Sequence, residues 1–235
     1  MSSDEKIPDR KRSRSRSSSI FQIPSEHNYD MSPLDWSPGL RLNSKYDLRK
    51  PLGEGGTACV ILADEERKHR QVAIKVTHAG PCVAVAVEEL DLLKRIHEED
   101  SKGASRCASM YEGFWHEEHF CIVFEVLGIS LRDLLHHNAL RGCWLQDIQA
   151  MSRDIIEALR FLHALTITHA DIKPANILLE SREAAHQDVF PREGHWRKTS
   201  SSALCDDCPY FRPVNNRVKT VSRVLNGEAT RTKCT

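Results

Sequence analysis

The sequence has no apolar run of the roughly 20 residues that a membrane-spanning helix needs, and it opens on polar and charged residues. We therefore expect neither a membrane span nor a secretory signal. It also lacks an excess of charge, because 33 Lys and Arg balance 33 Asp and Glu, so net charge does not indicate nucleic acid or membrane as a partner. Its eight cysteines follow no regular spacing, which favours free thiols in a reducing compartment.

Composition divides the chain into four regions. Residues 1–44 are rich in Ser, Arg, Pro and Asp, include a basic stretch at 10–16, and predict a disordered Arg/Ser-rich arm, since so few apolar positions cannot offset the entropy of ordering. Residues 45–128 and 129–180 carry regular apolar patterns. Residues 181–235 lose these patterns and predict an irregular tail, in which only 218–221 suggest one more strand.

The apolar periodicity of the middle regions switches from strands to helices along the chain. Strands are predicted at 46–52, 60–63, 72–76 and 120–127, and helices at 84–97 and 145–164. The apolar stripe of the second helix consists of Ile148, Met151, Ile155, Ala158, Leu159 and Leu162. A small sheet followed by helices predicts an α+β fold with two lobes.

A glycine-rich segment lies between the first two predicted strands. It consists of Gly53, Glu54, Gly55, Gly56, Thr57, Ala58, Cys59 and Val60. Glycines let backbone amides approach an anionic ligand, although such a segment by itself is more often a simple turn. Cys59 is either a reactive thiol near a nucleotide or, more commonly, a small apolar filler.

A lysine interrupts the apolar strand at 72–76. Lys75 is costly to bury without a partner, and the common alternative is that it reaches solvent. On the helix at 84–97, Glu89 lies within an apolar face, whereas Glu88 lies on the solvated flank. The residues of that face are Val85, Leu92, Leu93 and Ile96. We therefore predict an inward ion pair of Lys75 with Glu89, suited to holding nucleotide phosphates.

Three polar residues follow the second helix in a compact segment. Asp171, Lys173 and Asn176 are spaced so that one loop supplies a carboxylate for a hydroxyl proton, a cation for phosphoryl charge and an amide oxygen for Mg²⁺. Any one of them could equally be a polar loop residue next to a helix. All three together, after the glycine-rich segment and Lys75, favour phosphoryl transfer.

The order of these motifs resembles that of the protein kinase superfamily over residues 46 to about 180. Within it, the motifs at 52–55, 121–128 and 168–171 resemble the LAMMER, or cdc2-like, splicing-factor kinases. The resemblance implies a bilobal kinase-like fold and an ATP- and Mg²⁺-dependent serine/threonine kinase, with dual specificity open. It makes Asp171 the catalytic base, with Lys173 beside the phosphate, and Asn176 a metal ligand.

The resemblance also implies a nucleotide pocket. Lys75 would contact the α- and β-phosphates with Glu89 as its partner, Phe124 would lie at the back of the adenine pocket, and Glu125, Val126 and Leu127 would offer hinge backbone groups. Leu52, the glycine-rich segment and Ala73 complete the implied pocket.

Partners follow from the same resemblance. The arm is similar to those by which such kinases associate with Ser/Arg-rich splicing factors, which implies protein substrates of that kind and a nuclear location, with the cytoplasm as the alternative. Membrane partners are not expected. Direct RNA binding through the arm is a weaker alternative.

The sequence departs from the family pattern at two places. Ala58 stands where the third glycine of the loop is expected. No Asp-Phe-Gly motif follows the catalytic loop: Asp188 is a poor candidate, and residues 218–221 look more like the strand that leads into the motif after an insertion, yet Ser222 follows them. The chain then stops short of a complete catalytic domain, as a truncated product, a misread exon boundary or a short isoform would. A non-catalytic, pseudokinase-like binding protein is therefore the alternative function.

Two metal-like patterns are not taken as metal sites. His116 and His119 are three residues apart, which does not match a zinc-protease helix, and we expect a solvated hairpin there. Cys205 and Cys208 form a single isolated pair without a second one.

Overall fold

The computed structural model describes residues 33–100, 103–182, 184–187, 210–213, 217–221 and 225–226, with the backbone alone at 184–187, 210–213 and 225–226. The strands are β1 Arg41–Leu42, β2 Tyr46–Glu54, β3 Ala58–Glu65, β4 Arg70–Thr77, β5 Met110–His116, β6 His119–Phe124, β7 Ile167–Thr168, β8 Ile177–Leu179, β9 Ala184–Gln187, β10 Tyr210–Pro213, β11 Val218–Thr220 and β12 Leu225–Asn226. The helices are α1 Cys82–Glu99, α2 Leu131–His137 and α3 Leu145–Ala164. Within the described residues, no helix has the length and apolar character to span a membrane.

Six antiparallel strands form the main sheet in the order β1-β2-β3-β4-β6-β5. Alternating side chains divide between its two faces, as the period of two requires. One face carries a cluster that includes Leu48, Ile61, Ile74 and Val123. The other face packs against α1. The predicted strands at 46–52, 60–63, 72–76 and 120–127 are confirmed in place, with β6 ending at Phe124.

Helix α1 packs on β5 and β6 through Val87, Leu90 and neighbouring apolar residues. Gly113 on β5 permits this approach, because a Cβ atom there would lie 2.8 Å from the methyl carbons of Leu90. The predicted stripe needs one correction: Val85 is 37% exposed. The helix turns Val83, Val87 and Leu90 towards the sheet instead, while Glu89 is buried as predicted.

Helix α3 buries Met151, Asp154, Ala158 and Leu162. The prediction that Ile148 lies in the buried stripe was wrong, because Ile148 is 41% exposed. The buried residues of the helix include Asp154, which an apolar pattern does not indicate because its side chain is charged.

The predicted disordered arm, residues 1–44, is wrong over residues 33–44. Leu34 and Leu42 are buried in the core cluster of the sheet, and Trp36 and Leu40 pack against it. Strand β1 then pairs with β2. Proline and serine lie between these apolar residues, so the sequence shows no strand or helix periodicity there. The basic stretch at 10–16 lies outside the described residues.

Strands β11 and β12, which come last in the chain, pair with strands that precede residue 180. The suggested strand at 218–221 is present as β11, which pairs antiparallel with β8, and β12 pairs with β7. Strands β9 and β10 form a separate pair. The prediction of an irregular tail is therefore wrong for these segments. Helix α2, which begins after the Ser130 hydroxyl that accepts a hydrogen bond from the Asp133 amide, was not predicted.

Candidate active site

The glycine-rich segment forms the turn between β2 and β3. Gly53 and Glu54 end β2, and Ala58, Cys59 and Val60 begin β3. The Gly55 amide donates to the Ala58 carbonyl at 3.0 Å, which closes the turn. A Cβ atom at Gly53 or Gly56 would meet no atom within 4 Å. Contacts inside the protein therefore do not require glycine at these two positions.

Lys75 and Glu89 form the predicted ion pair. The Lys75 ammonium lies 2.8 Å from Glu89 Oε1 and 2.6 Å from Oε2. The Glu89 side chain is 6% exposed and that of Lys75 is 27% exposed, so the lysine remains partly accessible to solvent. Its neighbours across the sheet are Val60 and Ile122. Strand β4 and helix α1 together thus hold a cation at a fixed place.

Ala73 lies on the same face of β4 as Lys75, two residues away, whereas Cys59 lies on the other face. Ala73 pairs with Phe124 on β6. The Cys59 side chain is part of the apolar cluster on the far face, where burial raises the pKa of its thiol. The structure thus favours the apolar filler over the reactive thiol for Cys59.

The residues after β6 connect the sheet to the helical part. The Glu125 amide donates to the Ser109 carbonyl at 3.0 Å, and the Glu125 carboxylate accepts from the Ser109 amide at 2.7 Å. That carboxylate also lies 2.6 Å from the Lys219 ammonium. Leu127 is half-buried, and the Gly128 amide donates to the Leu179 carbonyl. The predicted hinge is therefore fixed by contacts from three separate segments.

The loop between β7 and β8 brings the three predicted catalytic residues into contact. The Lys173 ammonium lies 2.8 Å from Asp171 Oδ2. The Asn176 amide nitrogen donates to the same oxygen at 2.8 Å and to the Asp171 carbonyl at 2.9 Å. The ion pair with Lys173, and then the Asn176 hydrogen bond, hold the pKa of Asp171 below its usual range. Asp171 is consequently an ionised carboxylate at neutral pH.

His169 contacts this loop from the protein interior. Its side chain is buried, and its Nδ1 faces the Asp171 amide at 3.4 Å. Burial lowers the pKa of His169, so the ring is neutral near pH 7. Ala170 between them has a φ of 60°, which is uncommon for a residue with a side chain. The loop conformation is thus held by its surroundings and not by local preference.

Strand β11 and the residue after it contact both the loop between β7 and β8 and helix α3. The Val221 amide donates to the Asn176 carbonyl at 3.0 Å, and the Val218 amide donates to Asp154 Oδ2 at 3.1 Å. Arg217 and Arg106 also pair with Asp154. Asp154 and Lys219 were both missed in the sequence, although each is a charged residue inside an apolar pattern, the same signal that identified Glu89 and Lys75.

Among the described residues of the loop, Asn176 offers an oxygen that could hold a cation. Asn176 donates through its nitrogen, which leaves its amide oxygen as a ligand for Mg²⁺. Val221, the residue after β11, donates its amide hydrogen bond to the Asn176 carbonyl, and the next residue in the sequence is Ser222, where the family pattern requires an aspartate. In the described part of the chain, no group of three His, Cys, Asp or Glu residues could hold a metal ion. Among the described residues, Asn176 therefore fits Mg²⁺ as one ligand, and phosphate oxygens of a nucleotide would supply others.

The hairpin at 116–119 is present, but the expectation that it is solvated was wrong for His119. This residue is buried, and its Nδ1 lies 2.9 Å from the Thr77 carbonyl. His119 therefore has a structural role at the end of β4. The pair Cys205 and Cys208 and the candidate Asp188 lie outside the described residues.

Comparison with known proteins places the site in context. Residues 46–188 match the family model for the protein kinase domain. The chain is 35% identical over 146 residues to the serine/threonine-protein kinase AFC1 of Arabidopsis thaliana, covering 62% of this chain and 31% of the relative. It is 34% identical over 139 residues to the human dual specificity protein kinase CLK1, covering 58% and 29%. These relatives confirm the predicted resemblance to cdc2-like kinases.

A third relative and a solved structure extend the comparison. The chain is 32% identical over 180 residues to the dual specificity protein kinase lkh1 of Schizosaccharomyces pombe, covering 76% of this chain and 26% of the relative. The crystal structure of the kinase domain of PF14_0431 superimposes with a TM-score of 0.71 at 25% identity, covering 83% of this chain and 55% of that one. This likeness confirms the predicted α+β kinase-like fold. The chain spans 26–31% of the length of these three curated relatives.

Proposed function

The chain belongs to the protein kinase family, and from that premise we propose that it binds ATP with Mg²⁺ and transfers the γ-phosphate to serine or threonine hydroxyls of proteins. The observation that carries the proposal is the mutual contact of Asp171, Lys173 and Asn176 in one loop. A carboxylate that stays ionised, a cation and an amide oxygen are the three groups that phosphoryl transfer to a hydroxyl uses.

Each residue has a defined part in this proposal. Asp171 accepts the hydrogen bond, and then the proton, of the attacking hydroxyl. Lys173 offsets the negative charge that gathers on the transferred group. Lys75, fixed by Glu89, contacts the α- and β-phosphates, and the open space at Gly53 and Gly56 lets the turn approach them. Asn176 would hold Mg²⁺ through its amide oxygen, and the ion would supply positive charge that neutralises the phosphates.

The adenine would lie between the sheet and the segment that follows β6. Ala73 and Phe124 are paired there, and Glu125 and Leu127 present backbone groups along its edge. Leu52 is 46% exposed at the end of β2, where it is free to cover a base. For substrates, we propose Ser/Arg-rich proteins such as splicing factors in the nucleus, because the arm shares their composition and the sequence resembles the splicing-factor kinases, with human CLK1 among the relatives.

Phosphate transfer from γ-labelled ATP tests the proposal. The purified chain should label a Ser/Arg-repeat peptide in the presence of Mg²⁺, and a peptide with Ala in place of Ser should stay unlabelled. The Asp171→Asn variant should be slower by about 10²- to 10⁴-fold. Asp91→Asn, at an exposed position on α1, serves as the control and should keep the wild-type rate. Equal labelling by wild type and Asp171→Asn contradicts the proposal.

One observation favours a second candidate, a nucleotide-binding protein that does not transfer phosphate. Ser222 follows β11 where a second metal carboxylate is needed, so phosphates and Mg²⁺ are held by fewer groups. Under this alternative, ATP raises the melting temperature but no peptide is labelled. Partner binding would then survive Asp171→Asn and be lost when residues 10–19 are deleted.

A further inference from the structure

We propose that the ion pair of Lys219 with Glu125 positions the hinge and determines the preference for adenine over guanine. This inference rests on the proposed function, since it concerns the same nucleotide site. It assigns a positioning role to Lys219, which lies far along the chain from the motifs that identify the family.

Burial is the first argument. Lys219 is 9% exposed, and an ammonium group so placed is costly unless a counter-charge and hydrogen bonds compensate it. Its ammonium lies 2.6 Å from Glu125 Oε1, within hydrogen-bond distance. The Glu125 side chain is 20% exposed, so the pair is shielded from water on both sides. A shielded charge pair has a defined geometry, unlike an exposed one.

The second argument is where Glu125 lies. It is the first residue after β6, and its amide and carboxylate both contact the Ser109 backbone. With Lys219 on the same carboxylate, the peptide group that leaves Glu125 is held from two directions. That peptide group is the one the proposed function places at the adenine edge. An adenine presents an amino donor there and a guanine presents a carbonyl, so a fixed backbone acceptor favours adenine.

The third argument is what else β11 touches. Lys219 pairs with Leu178 on β8, the Thr220 amide donates to the Arg106 carbonyl, and the Val221 amide donates to the Asn176 carbonyl. The strand that carries Lys219 therefore contacts the catalytic loop at one end and the hinge in its middle. The hydrogen bonds of this segment that resist a shift of the hinge also hold Asn176, the proposed metal ligand.

Nucleotide binding by two variants and a control tests this. Lys219→Met keeps the length of the side chain without its charge, and Glu125→Gln removes the opposite charge. Lys68→Met is the control, since the Lys68 side chain is 61% exposed in the connection between β3 and β4, where it pairs with Glu65. Dissociation constants for ATP and GTP, each with Mg²⁺, are measured by calorimetry. We expect the affinity for ATP to fall about tenfold in either variant, with that for GTP within about twofold.

The double variant sharpens the result. If the two residues act as one pair, Lys219→Met with Glu125→Gln should lose no more ATP affinity than the worse single variant. Equal losses of ATP and GTP affinity, or unchanged ATP affinity in Lys219→Met, overturn the selectivity role.

Amide hydrogen exchange without nucleotide separates this inference from the proposed function. In Lys219→Met, the amides of residues 125–128 and 221 should exchange at least about tenfold faster than in wild type, and in Lys68→Met they should not change. Unchanged hinge exchange overturns the positioning role whatever the nucleotide results are. A wild type that binds neither ATP nor GTP overturns the proposed function, while the hinge exchange still decides the role of Lys219.

Discussion

The sheet half and the helical half of this protein differ in how completely their apolar surfaces are covered. The main sheet is covered on one face by α1 and on the other by residues 34–42, so large side chains such as Leu48 and Ile74 are fully buried. Helix α3 buries only one side. On its other side, Leu145, Ile148 and Ile156 are 63%, 41% and 64% exposed.

The two halves are consequently held by different forces. In the sheet half, an apolar core packs beside the inward ion pair of Lys75 with Glu89. In the helical half, a buried carboxylate, Asp154, holds two arginines and the start of β11. The residues proposed to bind nucleotide therefore lie on a closed apolar core, whereas the loop proposed to be catalytic depends on buried polar contacts. Four substitutions or conditions can break or sharpen this contrast.

The largest effect is expected in the sheet core. Leu90 is fully buried between α1 and β5, so Leu90→Ala should lower the free energy of unfolding by about 2–5 kcal/mol. Denaturant unfolding followed by circular dichroism measures this. Leu140→Ala, at a position 71% exposed, should change it by less than about 0.5 kcal/mol. If Leu90→Ala lowers the free energy of unfolding by less than about 1 kcal/mol, the apolar core of the sheet half is not tightly packed.

The next effect is expected at Asp154. Replacing it with Ala removes the acceptor of the Val218 amide and one carboxylate partner of Arg106 and of Arg217, which should cost about 2 kcal/mol. The loss should be local: amide exchange at 218–220 should accelerate while exchange in β3 and β4 stays the same. Asp91→Ala provides an exposed control. Uniform acceleration over the whole chain would show that the two halves unfold together.

A smaller effect concerns pH. The folded pKa of His169 is lowered by burial, so the unfolded chain binds the proton more readily below its ordinary value of about 6.5. The stability that the neutral ring contributes is therefore complete above pH 6.5 and is lost as the pH falls towards the folded pKa. His169→Asn should show a shallower loss of stability than wild type between pH 7 and pH 5. Parallel pH profiles would contradict this assignment.

The smallest effect on stability is expected on the open side of α3. Ile148→Ser and Ile156→Ser should change the free energy of unfolding by about 0.5 kcal/mol or less, because these residues are 41% and 64% exposed. Light scattering should show less self-association than in wild type, since an exposed apolar patch has been removed. A loss of 2 kcal/mol or more would show that this face is packed in solution.

Much of this architecture follows from local patterns. Alternating apolar residues predicted β2, β3, β4 and β6, and helical spacing predicted α1 and α3. The inward position of Glu89 followed from helix geometry, since residues three and four apart share a face. The contact of Asp171 with Lys173 and Asn176 followed from their separation of two and five residues. These features depend on neighbours in the sequence.

Other features depend on partners distant in the sequence. Leu34 and Leu42 pack because the sheet face beneath them is apolar, and prolines interrupt the pattern that would have indicated it. Lys219 and Asp154 interrupt apolar runs as Lys75 does, but their partners, Glu125 and Val218, are far along the chain. Ala170 holds a positive φ only because the surrounding loop fixes it. None of these can be read from a single segment.

The pairing of β11 with β8 also constrains the order in which the chain can fold. Residues 46–124 contain every strand from β2 to β6 and helix α1, so the main sheet can form as soon as this segment is synthesised. The catalytic loop must wait for residues 218–221, because one of its backbone hydrogen bonds goes to Val221. Closing the intervening loop costs entropy that grows only with the logarithm of its length. A nascent chain would thus hold a finished main sheet for some time before the loop with Asp171, Lys173 and Asn176 is fixed.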